Sequence, residues 1–272
     1  MDRATLYEAA CDFVRHSPLN CVPIDKALAP DVVGMRMYDV PLMAVARADD
    51  ALFASYRAPE AIGPHSRLPV DWLPQAQSVV SFFFPFTRRV REANRKDLSA
   101  PCVEWLHARI DGQQFLNALL AHLVEWVQAA GIACVAPSLS EGFHVGVPGN
   151  RFTSNWSERH AAYACGLGTF GLSKSLITQK GTAGRFGSLV LAAALPPDAR
   201  DYTGLYDYCT RCGACVRNCP AHAITLQSGK SHAICAPFVS QTGNLFPSYY
   251  GCGKCQVAVP CESQRPPHCT RA

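Results

Sequence analysis

No hydrophobic run in this 272-residue chain is long enough to cross a bilayer. The longest, Val79–Phe84 (broken by Ser81) and Leu189–Leu195, have only the length of a strand. The N-terminus does not read as an export signal either. Asp2, Glu8 and Asp12 interrupt the apolar positions of Met1–Phe13, and no twin arginine stands there. Charge of one sign is scarce, and a formal net charge of +4 does not by itself predict nucleic-acid binding. These absences place the expected protein in the cytoplasm, away from membranes. Disulfides are not expected, although the chain has 14 cysteines. Nine of them lie between Cys209 and Cys269, and a reducing compartment leaves such thiols free to bind metal.

What is present begins with a large apolar fraction, 49% of residues, enough for one sizeable core and a smaller appended unit. Leu6, Ala10, Phe13 and Val14 give residues 2–15 a helical face. Val40–Ala46 reads as a strand, and Ser78–Phe84 as a strand buried on both faces and stopped by Pro85. Phe115, Leu119, Leu123 and Val127 recur every four residues, which predicts a helix from Asp111, its cap, to Ala130. Ala133–Ala136 and Phe186–Leu195 are further strand candidates. Asn155-Trp-Ser-Glu158 resembles a capping box opening a helix over Trp156–Cys165. Alternating strands and helices over the first two hundred residues favour a layered α/β domain, with a boundary near Pro196-Pro197-Asp198.

The strongest pattern is Cys209-Thr-Arg-Cys212-Gly-Ala-Cys215-Val-Arg-Asn-Cys219-Pro220, which has the C-x2-C-x2-C-x3-C-P spacing of bacterial ferredoxins. Three thiolates on one tight loop can reach three irons of a single cube, and the fourth points to another cluster. A second group follows: Cys235, Cys252, Cys255 and Cys261. It does not repeat the first spacing, because Ala258 and Glu262 stand where two ligands would fall. The count nevertheless closes at eight. Crossed wiring assigns Cys209, Cys212, Cys215 and Cys261 to one 4Fe–4S cluster and Cys219, Cys235, Cys252 and Cys255 to the other. The alternative is one cluster with a zinc site or free thiols. Two close clusters imply a conductor of single electrons. Cys11, Cys21, Cys102, Cys134 and Cys165 read as packing or free thiols, and Cys269 as a free thiol near the terminus.

Ser157-Glu158-Arg159-His160-Ala-Ala-Tyr163-Ala-Cys-Gly166-Leu-Gly168-Thr-Phe-Gly171, followed by Ile177-Thr178, resembles the corresponding segment of epoxyqueuosine reductase and its smaller relatives. The Cys209–Cys219 run, Cys235 and Tyr250-Gly-Cys252-Gly-Lys-Cys255-Gln256 are similar to that family's iron–sulfur region. The resemblance extends to the reductive dehalogenases. It implies a nitroreductase-like layered α/β domain (1–200) that holds a corrinoid and substrate. It also implies a C-terminal ferredoxin-like domain with two 4Fe–4S clusters (201–272) that reduces the cobalamin cobalt. Arg159, His160, Tyr163, Gly168 and Gly171 are the candidate cofactor contacts, and a reduced ferredoxin or flavodoxin is the expected donor. The family's catalytic aspartate has no counterpart, since Arg151–Trp156 contains no acid. Its larger members carry tRNA-binding helical repeats, whereas this chain ends eleven residues after Cys261, so tRNA is not expected as substrate.

Other patterns carry less. Gly166-Leu-Gly168-Thr-Phe-Gly171 matches a dinucleotide fingerprint, but it follows a helix and no acid lies between 172 and 197. It reads instead as a helix C-cap, or as a loop admitting a flat cofactor. Glu158 reads as a helix cap. Arg88, Arg89, Arg91, Arg95 and Lys96 read as a solvated face or an anion site, with Lys174 and Arg185 weaker candidates of the same kind. No D-x-H-x-x-G cobalamin motif is present, since Ile110 follows His107. The expected function is an iron–sulfur reductase passing single electrons to a cofactor. The alternative is an electron carrier or reductive activator with no organic cofactor.

Overall fold

The computed structural model describes residues 2–267, so Cys269 lies outside the described residues. In chain order the elements are α1 (Arg3–His16), β1 (Leu42–Arg47), α2 (Ala51–Ser55), α3 (Pro69–Trp72), β2 (Ser78–Pro85), α4 (Arg88–Arg95) and α5 (Val103–Ala129). Then come β3 (Cys134–Val135), β4 (Val145–Val147), β5 (Asn150–Ser154), α6 (Glu158–Cys165), β6 (Gly168–Phe170), β7 (Leu176–Thr178) and β8 (Gly184–Leu191). The last segment holds α7 (Ala214–Arg217), β9 (Ile224–Thr225), β10 (Gly229–Lys230) and α8 (His232–Gln241).

The central sheet runs β1-β2-β8-β3, with every pair antiparallel. Strand β2 is buried at all eight positions, and its side chains alternate between two cores. Val80, Phe82 and Phe84 pack with Leu116, Leu119 and Leu123 of α5 and with α1. Val79 and Phe83 pack with Ala161, Ala162 and Cys165 of α6. The largely apolar run of β2, broken only by Ser81 between Val79 and Phe84, thus reflects a sheet covered on both faces, although its pairing is antiparallel. Among the described residues no helix is long and apolar enough to cross a membrane.

Two helix starts differ from the sequence expectation. Helix α5 begins at Val103, eight residues before Asp111. Asp111 is no cap: its carboxylate accepts from His107 Nδ1 at 2.6 Å and from the Tyr249 hydroxyl at 3.0 Å. His107 Nε2 accepts the Leu28 N–H at 3.0 Å, which assigns the ring proton to Nδ1. This buried pair stabilises polar positions inside the helix that the apolar pattern could not credit. Helix α6 begins at Glu158, and no capping box forms. Asn155 spends its amide elsewhere, donating to Gly142 O at 2.8 Å and accepting the His144 N–H at 3.1 Å.

The C-terminal segment packs on the α/β layers through its own small core of Leu172, Cys219, Ala223 and Ile224. Glu262, only 2% exposed, accepts from Arg91 at 3.1 Å and from Arg95 at 2.5 Å. The basic stretch is thereby divided. Arg88 pairs with Glu92 and Arg89 with Asp31 at the surface, while Arg91 and Arg95 clamp the C-terminal segment.

Candidate functional site

The run Cys209–Cys219 folds as a loop that closes tightly at Gly213, whose φ of 74° lies in the left-handed region and opens α7. Cys209, Cys212, Cys215 and Cys261 line one hollow, with Gly171 and Val259. Cys212 is exposed. Burial pushes Cys215 and Cys261 up to about 12, reinforced at Cys215 by Cys255 and then by Cys209 and Cys212, and at Cys261 by Cys215, Cys209 and Cys212. Thiols crowded in this way ionise only with a cation among them. Cys219, Cys235, Cys252 and Cys255 sit together elsewhere, on the wall of a cavity of about 680 Å³. Burial likewise pushes Cys252 up to about 11, with Cys255 and Cys235 adding to it. The Cys219 Sγ accepts the Ala223 N–H at 3.2 Å. The structure therefore brings the eight cysteines into two groups of four. Among the described residues no three His, Cys, Asp or Glu side chains converge as a single metal ion requires.

The opposite wall of the cavity is polar. Arg109 comes from α5, Glu158 and Arg159 from the first turn of α6, and Arg185 from the start of β8. Trp156, just before this turn, donates Nε1–H to Ser188 Oγ at 2.9 Å, and Glu158 and Arg159 line the cavity. Arg159 donates to Lys174 O at 2.7 Å, and Arg185 to Arg109 O at 2.9 Å. Both Glu158 carboxylate oxygens are buried without a hydrogen-bond partner, as is Arg109 Nε. Burial pushes the Glu158 carboxyl up to about 7, against the smaller pull of the nearby Ser188 and Ser138 hydroxyls. Lys230 adds a cation beside the second group. The Cys255 and Cys235 thiolates raise its pKa against the opposing and largest effect, burial.

The five candidate cofactor contacts are dispersed. Arg159 lines the cavity. His160 does not: its Nδ1 meets Ser157 Oγ at 2.8 Å, and its ring packs on Tyr56 and Phe170. Burial and the neighbouring Arg159 hold it down to about 4, so it is neutral at pH 7. Tyr163 is buried against Phe170 and Tyr202. Gly168 serves the β6–β7 pairing, where an added Cβ would lie 1.9 Å from Ile177 O. Gly171 lines the first cysteine hollow, and Gly166 is a left-handed helix cap. Arg109 went unmarked in the sequence, but a signal existed. Arg109, Gln113 and Asn117 form a polar stripe at four-residue spacing along α5, and all three line the cavity. Of the five cysteines read as packing thiols, Cys11, Cys134 and Cys165 are buried, and Cys21 and Cys102 half-buried.

Residues 205–225 match the 4Fe–4S binding domain. Over 114 residues the chain is 30% identical to an epoxyqueuosine reductase of Staphylococcus aureus, a match covering 38% of this chain and 29% of that protein. A crystal structure of epoxyqueuosine reductase with a modified tRNA-Tyr stem loop superposes with a TM-score of 0.55 at 18% identity, covering 95% of this chain and 66% of that one. A reductive dehalogenase, solved with B12-dependent dehalogenation in view, superposes at 0.50 and 14% identity over 83% of this chain and 30% of that one. These matches define a mixed α/β fold with a 4Fe–4S-binding segment near its C-terminal end. The chain is a relative of epoxyqueuosine reductase. The expectation that tRNA is not a substrate is withdrawn, because a matched structure holds a tRNA stem loop.

Proposed function

We propose that this chain is an iron–sulfur reductase with two 4Fe–4S clusters that passes single electrons to an organic cofactor, a corrinoid, held in the 680 Å³ cavity. One observation carries the reading: the second cysteine group forms part of the cavity wall, whereas the first includes the exposed Cys212. Electrons enter at the surface near Cys209, Cys212, Cys215 and Cys261 and leave beside Cys219, Cys235, Cys252 and Cys255. The layers around the central sheet form a nitroreductase-like domain over residues 1–200, and the conductor occupies the rest.

The residues present fit both groups. Arg159 and Lys230 lie where they offset the negative charge of thiolate-bound clusters, and the Cys255 thiolate raises the pKa of each against burial. The cavity falls within the usual size of cofactor sites. Its orphaned Glu158 oxygens and Arg109 Nε are free to bind the amide rim of a corrinoid. A corrinoid there would supply a strongly reducing cobalt centre, and among the described residues no histidine lines the cavity. Arg109 and Arg185 bind and orient an anionic or carbonyl-bearing substrate. Glu158 holds a proton on a carboxylate oxygen near neutral pH, where the reduction of an organic substrate consumes one.

Anaerobic purification tests the reading. About eight irons per chain and a paramagnetic signal after dithionite are expected, together with co-elution of hydroxocobalamin and a change in its visible spectrum. About four irons would remove the second cluster. Eight irons without corrinoid retention would leave an electron carrier.

A further inference from the structure

Beside the exposed Cys212 the C-terminal segment presents apolar side chains together with cations. Leu205, Tyr206 and Leu226 are 45%, 39% and 46% exposed there. Arg211, held in the left-handed region at φ 51°, places its guanidinium over the Tyr206 ring, 5.7 Å from the centroid. Arg217 donates to Cys212 O at 3.2 Å and, with Leu226, flanks Gly213. Both arginines are exposed, and among the described residues neither pairs with a carboxylate. The acid closest to them in sequence, Asp207, turns its carboxylate to the Thr203 and Gly204 N–H groups. The result is an apolar patch with cations around a cysteine of the outer group.

We propose that this patch is the docking face for an acidic one-electron donor protein, with Arg211 and Arg217 steering it and Leu205, Tyr206 and Leu226 making the contact. The inference rests on the two-cluster reading above. Single-electron exchange needs short encounters, and small, charge-steered interfaces provide them. One electron leaves the donor's reduced centre and enters the cluster held by Cys209, Cys212, Cys215 and Cys261. No bond forms or breaks and no proton moves. A small reductant needs no such face, which makes the two routes separable.

The test is stopped-flow reduction of the anaerobic, cluster-loaded protein by reduced flavodoxin, with dithionite in parallel. For the native protein the flavodoxin rate falls at least about tenfold between low salt and about 0.5 M. The double variant Arg211→Glu/Arg217→Glu loses about tenfold at low salt and most of its salt dependence. Its iron content and its extent of reduction by dithionite stay native. If loss of the Arg217 bond to Cys212 O strips iron, Arg211→Glu alone is read, since the Arg211 guanidinium lies over the Tyr206 ring, with a severalfold loss expected. A salt-independent native rate, or a fully loaded variant as fast as the native protein, overturns the docking face alone. Native protein without iron and without a dithionite-reducible signal overturns the two-cluster reading and this inference together.

Discussion

Replacing Glu262 by alanine should loosen the C-terminal segment without touching a cysteine. The carboxylate is 3% exposed and receives Arg91, 15% exposed, Arg95, 41% exposed, and the Ala258 N–H at 2.7 Å. Removing one partner of a buried pair costs about 3–5 kcal/mol, because the other charge stays buried and unpaired. Arg95 is solvated enough to find water, so its share falls to the 1 kcal/mol or less typical of surface pairs. Arg91 and the orphaned Ala258 N–H dominate, and the net loss is about 3 kcal/mol. For a chain of this size that lowers the melting temperature by about 6–12 °C. The main-chain oxygens of Cys261 and Glu262 also receive the Thr182 N–H, so the loss is felt at the first cysteine group. Anaerobic melting, followed by circular dichroism and by the visible absorbance of the clusters, reads both effects. Glu262→Gln keeps an acceptor for Ala258 and loses about half as much. An alanine variant that melts within about 2 °C of the parent and retains all its iron refutes the clamp.

Three further outcomes follow from the same geometry. Glu158 is pushed up to about 7 from 4.5, so the unfolded chain ionises it first as pH rises. Stability should then fall by ~3 kcal/mol between pH 4.5 and 7 from this group, and Glu158→Gln should abolish that fall in denaturant titrations across the range. An unchanged pH profile in the variant would show that Glu158 is not held neutral. Gly168→Ala drives a Cβ to 1.9 Å from Ile177 O, so it should cost about 3 kcal/mol or more and appear as a lowered denaturation midpoint; native stability would refute the tight β6–β7 contact. Limiting oxygen or chelator should remove iron in two phases, from about eight to about four and then to none, because only the first group has an exposed cysteine. A single phase would contradict the difference in exposure.

The fold was legible where one periodicity governed a segment. The β2 strand and the C-terminal half of α5 show their buried faces directly in Val79–Phe84 and in Phe115, Leu119, Leu123 and Val127. The first two turns of α5 were not legible. They contain His107, Arg109 and Asp111, which look like exposed positions in the sequence but face Leu28, the cavity and Tyr249. The cysteine groups were readable from spacing, because covalent ligation imposes spacing on the chain. The cavity was not, because its wall is drawn from α5, α6, β8 and the C-terminal loop, segments that share no local pattern. The glycine-rich stretch misled for a related reason. Gly168 answers to a neighbouring carbonyl, a demand that looks in sequence the same as an approach by a cofactor.

The irregular spacing of the second cysteine group has a physical origin in those same long-range contacts. The segment from 249 to 262 is stretched over the α/β layers by side chains lying between and beside its cysteines. The Tyr249 hydroxyl reaches Asp111 on α5, and Lys254, 1% exposed, donates to Asn94 Oδ1 at 2.6 Å on α4. Gln256 donates to Ser175 Oγ at 3.1 Å and to Thr182 O at 3.0 Å, and Glu262 takes Arg91 and Arg95. A segment tied at four points cannot also wrap the compact loop that a repeated ferredoxin spacing demands. Ala258 and Glu262, standing where two ligands would fall, are bonded to each other instead, and Glu262 is the clamp. Cys235 on α8 and Cys261 beside the clamp complete the two groups of four instead. The departure from ferredoxin spacing therefore goes with these four ties, which hold Cys252 and Cys255 in the cavity wall.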